Sequence, residues 1–185
     1  MPNINKAYNK GVEICNKANV GYSQAYRNQQ TVNGVTYYDC SSFIWYCLLE
    51  GGFDCVGKNG GSTWPFTTST MANVLRKLGF KQVAVSNAWK PGDILIRSGH
   101  TEMVYNGRVT MGAHADDRPL QDQVSICDYN SKPSQWAQCW RYGGGASSDT
   151  SGDTSEEPST SIKWGTTRKG YNFVLFNANK RRMRR

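Results

Sequence analysis

The sequence predicts an α+β fold, N-terminal helices packed on an antiparallel β-sheet, on two observations. Up to Gly79 the apolar residues recur at helical spacing, and after it they fall in short strand-like runs separated by Pro91-Gly92 and Asn106-Gly107. A third observation bounds the fold: residues 143–161 hold no large apolar side chain and cannot form a core.

Each element follows from local chemistry. Ile4, Ala7 or Tyr8, Gly11, Ile14 and Cys15 lie near one face of a first amphipathic helix within residues 3–19, which Gly21 ends. Residues 22–38 are polar and read as a loop with a turn at Asn33-Gly34. A second helix runs from Cys40 to Glu50 and stops at Gly51-Gly52. The run Thr67-Thr68-Ser69-Thr70 caps a third, from Met71 to Leu78. Strands are expected over residues 80–85 and 93–97, with Asp93 read as a turn former after Pro91-Gly92. Residues 100–105 and 108–113 form a hairpin about Asn106-Gly107, and a last strand over residues 136–142 closes the sheet.

The 185 residues suit one core plus a tail: a folded domain over 1–142, a Gly/Ser/Thr/acidic linker over 143–161 and a basic segment over 162–185. Net charge is +8; residues 1–145 carry 14 Lys/Arg against 10 Asp/Glu and residues 146–185 carry 8 against 4, so each part is +4. The terminal Lys180-Arg181-Arg182-Met183-Arg184-Arg185 binds anionic polymers with little selectivity, so no specific nucleic acid and no membrane partner is expected. Residues 163–165 and 171–176 are apolar enough for one or two strands, not for a core of their own. The first residues lack a signal-peptide run and no stretch is long enough to cross a bilayer, so synthesis in the cytoplasm without a signal peptide is expected.

The residues that carry chemistry are few. Cys40 opens a helix, where backbone N–H groups and the helix dipole favour a thiolate. The two histidines, His100 and His114, both lie in the hairpin region, as a thiol hydrolase requires of a base and its orienting partner. His114 can bond the second nitrogen of His100, and Glu102 and Asp116 compete for that role; Glu102 shares a strand face with His100. Candidate oxyanion or substrate-binding groups are the Cys40 backbone N–H, Tyr22, Asp39, Glu102, Asp116 and Trp64, with Trp64, Phe66, Trp89, Trp136 and Trp140 as groove walls or core. The six cysteines show neither Cys-x-x-Cys nor regular spacing, so reduced thiols are expected, with Cys47 as buried packing and no metal or other cofactor.

These blocks resemble a known family. Asp39-Cys40-Ser41-Ser42-Phe43, Trp89-Lys90-Pro91-Gly92-Asp93-Ile94-Leu95, Gly99-His100-Thr101-Glu102-Met103-Val104-Tyr105 and Gly112-Ala113-His114 look, in that order, like the NlpC-type papain-like cell-wall hydrolases related to CHAP domains, in their bacteriophage amidase branch. The resemblance covers residues 3–142 and implies a papain-like domain that cleaves amide bonds of bacterial peptidoglycan. It implies Cys40 as nucleophile, His100 as base, a later polar residue, by position His114, as its orienter, and Tyr22 at the oxyanion site. Phage origin implies either release from the host cytoplasm to the wall at lysis, or carriage on the virion tail with residues 162–185 docking on other tail proteins. Two other classes stay open: a catalytically silent wall-binding component of a phage tail, and a zinc amidase built on His100, His114 and a cysteine.

Overall fold

The computed structural model describes residues 1–86, 88–143, 163–166 and 172–175. Met1–Ser147 forms one compact unit and Ser148–Arg185 another. In the first unit the chain runs through α1 (Ile4–Cys15), β1 (Val20–Tyr22), β2 (Thr31–Val32), β3 (Val35–Tyr38), α2 (Cys40–Glu50), α3 (Cys55–Lys58), α4 (Thr68–Lys77), β4 (Phe80–Val83), β5 (Ile94–Arg97), β6 (His100–Asn106), β7 (Val109–Ala113), α5 (Leu120–Gln123), β8 (Val124–Cys127), a 3-10 turn (Pro133–Gln135) and β9 (Gln138–Tyr142). The fold is α+β. Six strands in the order β4-β9-β5-β6-β7-β8 form a wholly antiparallel sheet, and β1, β3 and β2 form a small second one.

α2 is the central helix because nearly all of it is apolar: Phe43, Ile44, Trp45, Cys47 and Leu48 are buried, leaving no polar face for water. α1 covers it, burying Ala7, Gly11 and Ile14 at a spacing that keeps them on one face. Gly11 permits a close approach, since a Cβ there would stand 2.9 Å from Met111 Cε and 3.3 Å from Phe43 Cζ. One face of the sheet thus receives the helices through Met111 and its cross-strand partner Met103.

The opposite face is buried as well. Leu95, Val104 and Cys139 pack there against Trp89 and Trp136, which come from the connections before β5 and before β9. Trp89 and Trp136 were expected as groove wall or core, and they are core; their place on this face was not legible, because irregular segments carry no periodicity. It also took residues 22–38 as a loop; they hold β2, β3 and the end of β1, strands too short for their alternation to register, with β3 paired in parallel to β1 and antiparallel to β2. β8, α3 and α5 were missed for the same reason. β9 lies between β4 and β5.

Asp93 is more than a turn former. Lys90 to Asp93 do make a tight turn, with Gly92 at a φ of +85°. The buried carboxylate then accepts from Arg141 Nε at 2.8 Å and Arg141 Nη2 at 2.7 Å, a bidentate pair tying β9 to the start of β5.

In the second unit β10 (Lys163–Thr166) and β11 (Asn172–Leu175) pair antiparallel, so the strands expected there are present. The linker beyond residue 143 and the basic run 180–185 lie outside the described residues. Among the described residues no helix is long and apolar enough to cross a membrane, and all six cysteines are free thiols.

Candidate active site

Cys40 is the first residue of α2, and Asp39 is its N-cap. The Asp39 Oδ1 accepts from Ser42 N–H at 2.6 Å while Ser42 Oγ accepts from Asp39 N–H at 2.9 Å, a reciprocal capping box that fixes where the helix begins. Asp39 Oδ2 accepts from the buried Arg27 Nε at 2.6 Å, and Arg27 reaches further to Ser41 Oγ and to the carbonyls of Pro65 and Phe66. Asp39 is therefore consumed in anchoring the helix start. The expectation that it meets substrate or an oxyanion is corrected: Asp39 is 3% exposed as a residue and both carboxylate oxygens are engaged.

The Cys40 sulfur lies against the main chain on either side of His100. The Gly99 carbonyl is 3.9 Å away, and the backbone N–H groups of Thr101 and Ser41 act on the thiol by favouring its ionised form. The expected thiolate is corrected as well. Burial, aided by the Asp39 charge, pushes the Cys40 thiol up to about 11, outweighing those two N–H groups and Arg27.

His100 and Glu102 project from one face of β6, and Thr110 and His114 from the same face of the neighbouring chain after the hairpin. They meet at the Glu102 carboxylate, which is fully buried. Its Oε1 lies 2.8 Å from His100 Nε2, 3.0 Å from His114 Nδ1 and 2.7 Å from Asn130 Nδ2, and Thr110 Oγ1 donates to Oε2. Gly112 leaves the room this requires, because a Cβ there would sit 3.1 Å from Glu102 Cγ. His114 does not bond His100; Glu102 stands between them, which corrects the expected histidine pair.

The charges follow from the partners. Burial alone would raise Glu102, but the hydrogen bonds and charges of His100 and His114 hold it well below the usual carboxylate range. His114 faces acceptors at both nitrogens, Glu102 at Nδ1 and the Ser125 carbonyl 3.1 Å from Nε2, so both nitrogens carry hydrogen. Burial opposes that charge, yet the Cys127 sulfur 3.4 Å from Nε2 and the Glu102 carboxylate outweigh it, and His114 is pushed up to about 9. His100 is stacked on Trp136 at 6.0 Å between centroids, and Trp136 is pinned by its Nε1 donating to Asn130 O at 2.9 Å.

The remaining candidates are placed as follows. Tyr22 ends β1 beside Tyr38. Its hydroxyl accepts from Gln24 Nε2 at 2.6 Å and is raised chiefly by burial, with the Cys40, Asp39 and Asp116 charges adding to it, which sets it near the Cys40 end of α2. Asp116 is exposed beyond β7, and its described hydrogen bond is through its backbone carbonyl to Gln123, so it is not the carboxylate that meets the histidines. Trp64 is 53% exposed, whereas Phe66, Trp89, Trp136 and Trp140 are buried. Arg27, Thr110, Cys127 and Asn130 were missed; only Thr110 had a signal, its position across the hairpin from Glu102.

His100, Glu102 and His114 offer three ligand atoms within 4.8 Å of one another, the one group among the described residues that could hold a metal ion. Both histidine nitrogens already bond one carboxylate oxygen directly. The group as built is a closed hydrogen-bond cluster, chemically suited to holding an imidazole and moving its proton beside a thiol.

The sequence profile of a bacteriophage peptidoglycan hydrolase family matches residues 13–130, a span that runs from α1 to Asn130 and includes Cys40, His100, Glu102 and His114. No curated protein sequence matches the chain. With nearly all of the cluster inside a match that covers most of its length, the chain belongs to the bacteriophage peptidoglycan hydrolases.

Proposed function

We propose that the protein is a papain-like cysteine hydrolase of the NlpC/CHAP type that cleaves an amide bond in the peptide stem of peptidoglycan through an acyl-enzyme on Cys40. One observation carries the reading: the Cys40 sulfur lies against the main chain flanking His100, while His100 Nε2 is committed to Glu102. A carboxylate only accepts, so in the neutral ring Nε2 holds the hydrogen and Nδ1 holds the lone pair that takes the thiol proton. Because Cys40 rests as a thiol, that proton leaves as sulfur attacks the carbonyl carbon. The Cys40 N–H and the Tyr22 hydroxyl are the proposed donors to the resulting oxyanion. Collapse breaks the C–N bond, His100 returns the proton to the leaving amine, and a thioester remains. Water, deprotonated by His100, releases the acid and restores the thiol. Glu102 orients His100, and the charged His114 keeps Glu102 ionised; both are positioning residues.

The bond is either N-acetylmuramoyl-L-alanine or one within the stem. The mixed linker and basic terminus favour delivery on the virion tail, residues 162–185 docking on neighbouring tail proteins, over release at lysis. Purified peptidoglycan digested with the enzyme should lose turbidity, and the new amine terminus, read by mass spectrometry, names the bond. Iodoacetamide should abolish clearing and a chelator leave it intact; the reverse pattern would move the chemistry to a metal held by His100, Glu102 and His114.

A further inference from the structure

A cavity of about 260 Å³ shares Gly99 with the surroundings of the Cys40 sulfur. Its walls are the Ser98-Gly99 turn between β5 and β6, the first turns of α4 at Thr68, Ser69 and Ala72, and Arg97, Ala137 and Gln138 on the sheet side. Gly99 belongs both to this cavity and to the site, since its carbonyl is the one 3.9 Å from Cys40 Sγ. The turn leaves the approach open: Ser98 and Gly99 are exposed, and a Cβ on Gly99 would meet nothing within 4 Å.

The lining has a sign. Arg97 brings the single formal charge, Thr68, Ser69 and Ser98 bring hydroxyls, and no carboxylate lines the cavity. Gln138 Oε1 is occupied by Trp140 Nε1 at 2.7 Å, which leaves its amide nitrogen to donate. Arg97 is held in place, its Nη2 donating to Asn130 Oδ1 at 3.1 Å and its guanidinium lying 5.2 Å from the Trp136 ring centroid. A half-buried arginine held by Asn130 and Trp136, in a lining that also carries three hydroxyl residues, suits a carboxylate. Ala72, Ile96 and Ala137 supply the apolar part, room for a methyl-sized group. The volume falls below the ~300–1,000 Å³ of whole-ligand sites, the scale of one residue of a longer substrate.

We infer that this cavity is a subsite for a carboxylate-bearing residue of the peptide stem next to the scissile amide, with Arg97 as its anchor. The inference rests on the proposed hydrolase reading and deepens it. It makes the enzyme sensitive to amidation of the stem, which replaces that carboxylate by a neutral carboxamide.

The test compares stem muropeptides that differ only in carboxylate against carboxamide, with wild type, Arg97→Gln and Ala72→Glu, each checked for folding by thermal unfolding. Wild type should prefer the acid form about tenfold in kcat/KM, mostly through KM. Arg97→Gln should bring the ratio of the two substrates near one, and Ala72→Glu, which sets an acid in the cavity, should invert it. Equal ratios in all three proteins would overturn the subsite while leaving the hydrolase reading standing. Failure of folded wild type to cleave either muropeptide or intact peptidoglycan would overturn the hydrolase reading instead.

Discussion

Glu102 collects two histidines, an asparagine and a threonine on one buried carboxylate, and its charge is what each of them answers. Glu102→Gln keeps the shape and removes the charge. Wall clearing should then fall by ~10²-fold or more as His100 loses its orienting acceptor. His114, no longer facing a carboxylate, should titrate well below its present value of about 9, as followed by NMR of its ring protons. An activity loss with an unmoved His114 would mean that Glu102 matters only for folding. Cys40 and His100 stand out in the sequence as candidates because a cysteine at a helix start and a scarce histidine after a strand carry chemical meaning by position. The arbiter among His114, Glu102 and Asp116 was not legible. It depends on register: Gly112 opens space for the Glu102 side chain, while the chain beyond β7 turns away and leaves Asp116 exposed. Arg27 and Asn130 gave no signal, since each acts through a contact distant in sequence.

At the scale of elements, α2 carries the proposed nucleophile, and its start is set by Asp39 and by Arg27 from the connection between β1 and β2. That ion pair is buried, with side-chain exposures of 9% and 5%. Arg27→Met should leave an unpaired buried carboxylate and cost about 3–5 kcal/mol in urea unfolding. A loss under about 1 kcal/mol would place the pair with weak surface bridges. The long helices, β5 and the β6–β7 hairpin were readable because periodicity and turn residues agreed. The two- to four-residue strands β1, β2, β3 and β8 were not, because pairing with distant partners, rather than local pattern, makes them strands.

At the scale of the molecule, a sheet buried on both faces shuts the Glu102 cluster from water and ties stability to pH. His114 is raised in the fold from 6.5 to about 9, so its contribution is fully present below pH 6.5 and is lost as pH rises through about 9. Cys40, raised from 9 to about 11, acts in the same direction at higher pH. Glu102 is lowered, so its contribution is present above its ordinary value of 4.5 and is lost as pH falls below it. The urea midpoint should be highest between about pH 5 and 6.5 and decline by pH 9; a midpoint that rises across that alkaline range would contradict the charged His114.

The central claim is that Cys40, and not Cys127, whose sulfur lies 3.4 Å from His114 Nε2, attacks the wall. Clearing of purified peptidoglycan by wild type, Cys40→Ser and Cys127→Ser decides between them. Cys40→Ser should lose at least ~10³-fold of the rate while staying folded, and Cys127→Ser, whose hydroxyl still meets His114, should keep most of it. Wall clearing by folded Cys40→Ser at a rate near wild type would contradict the account.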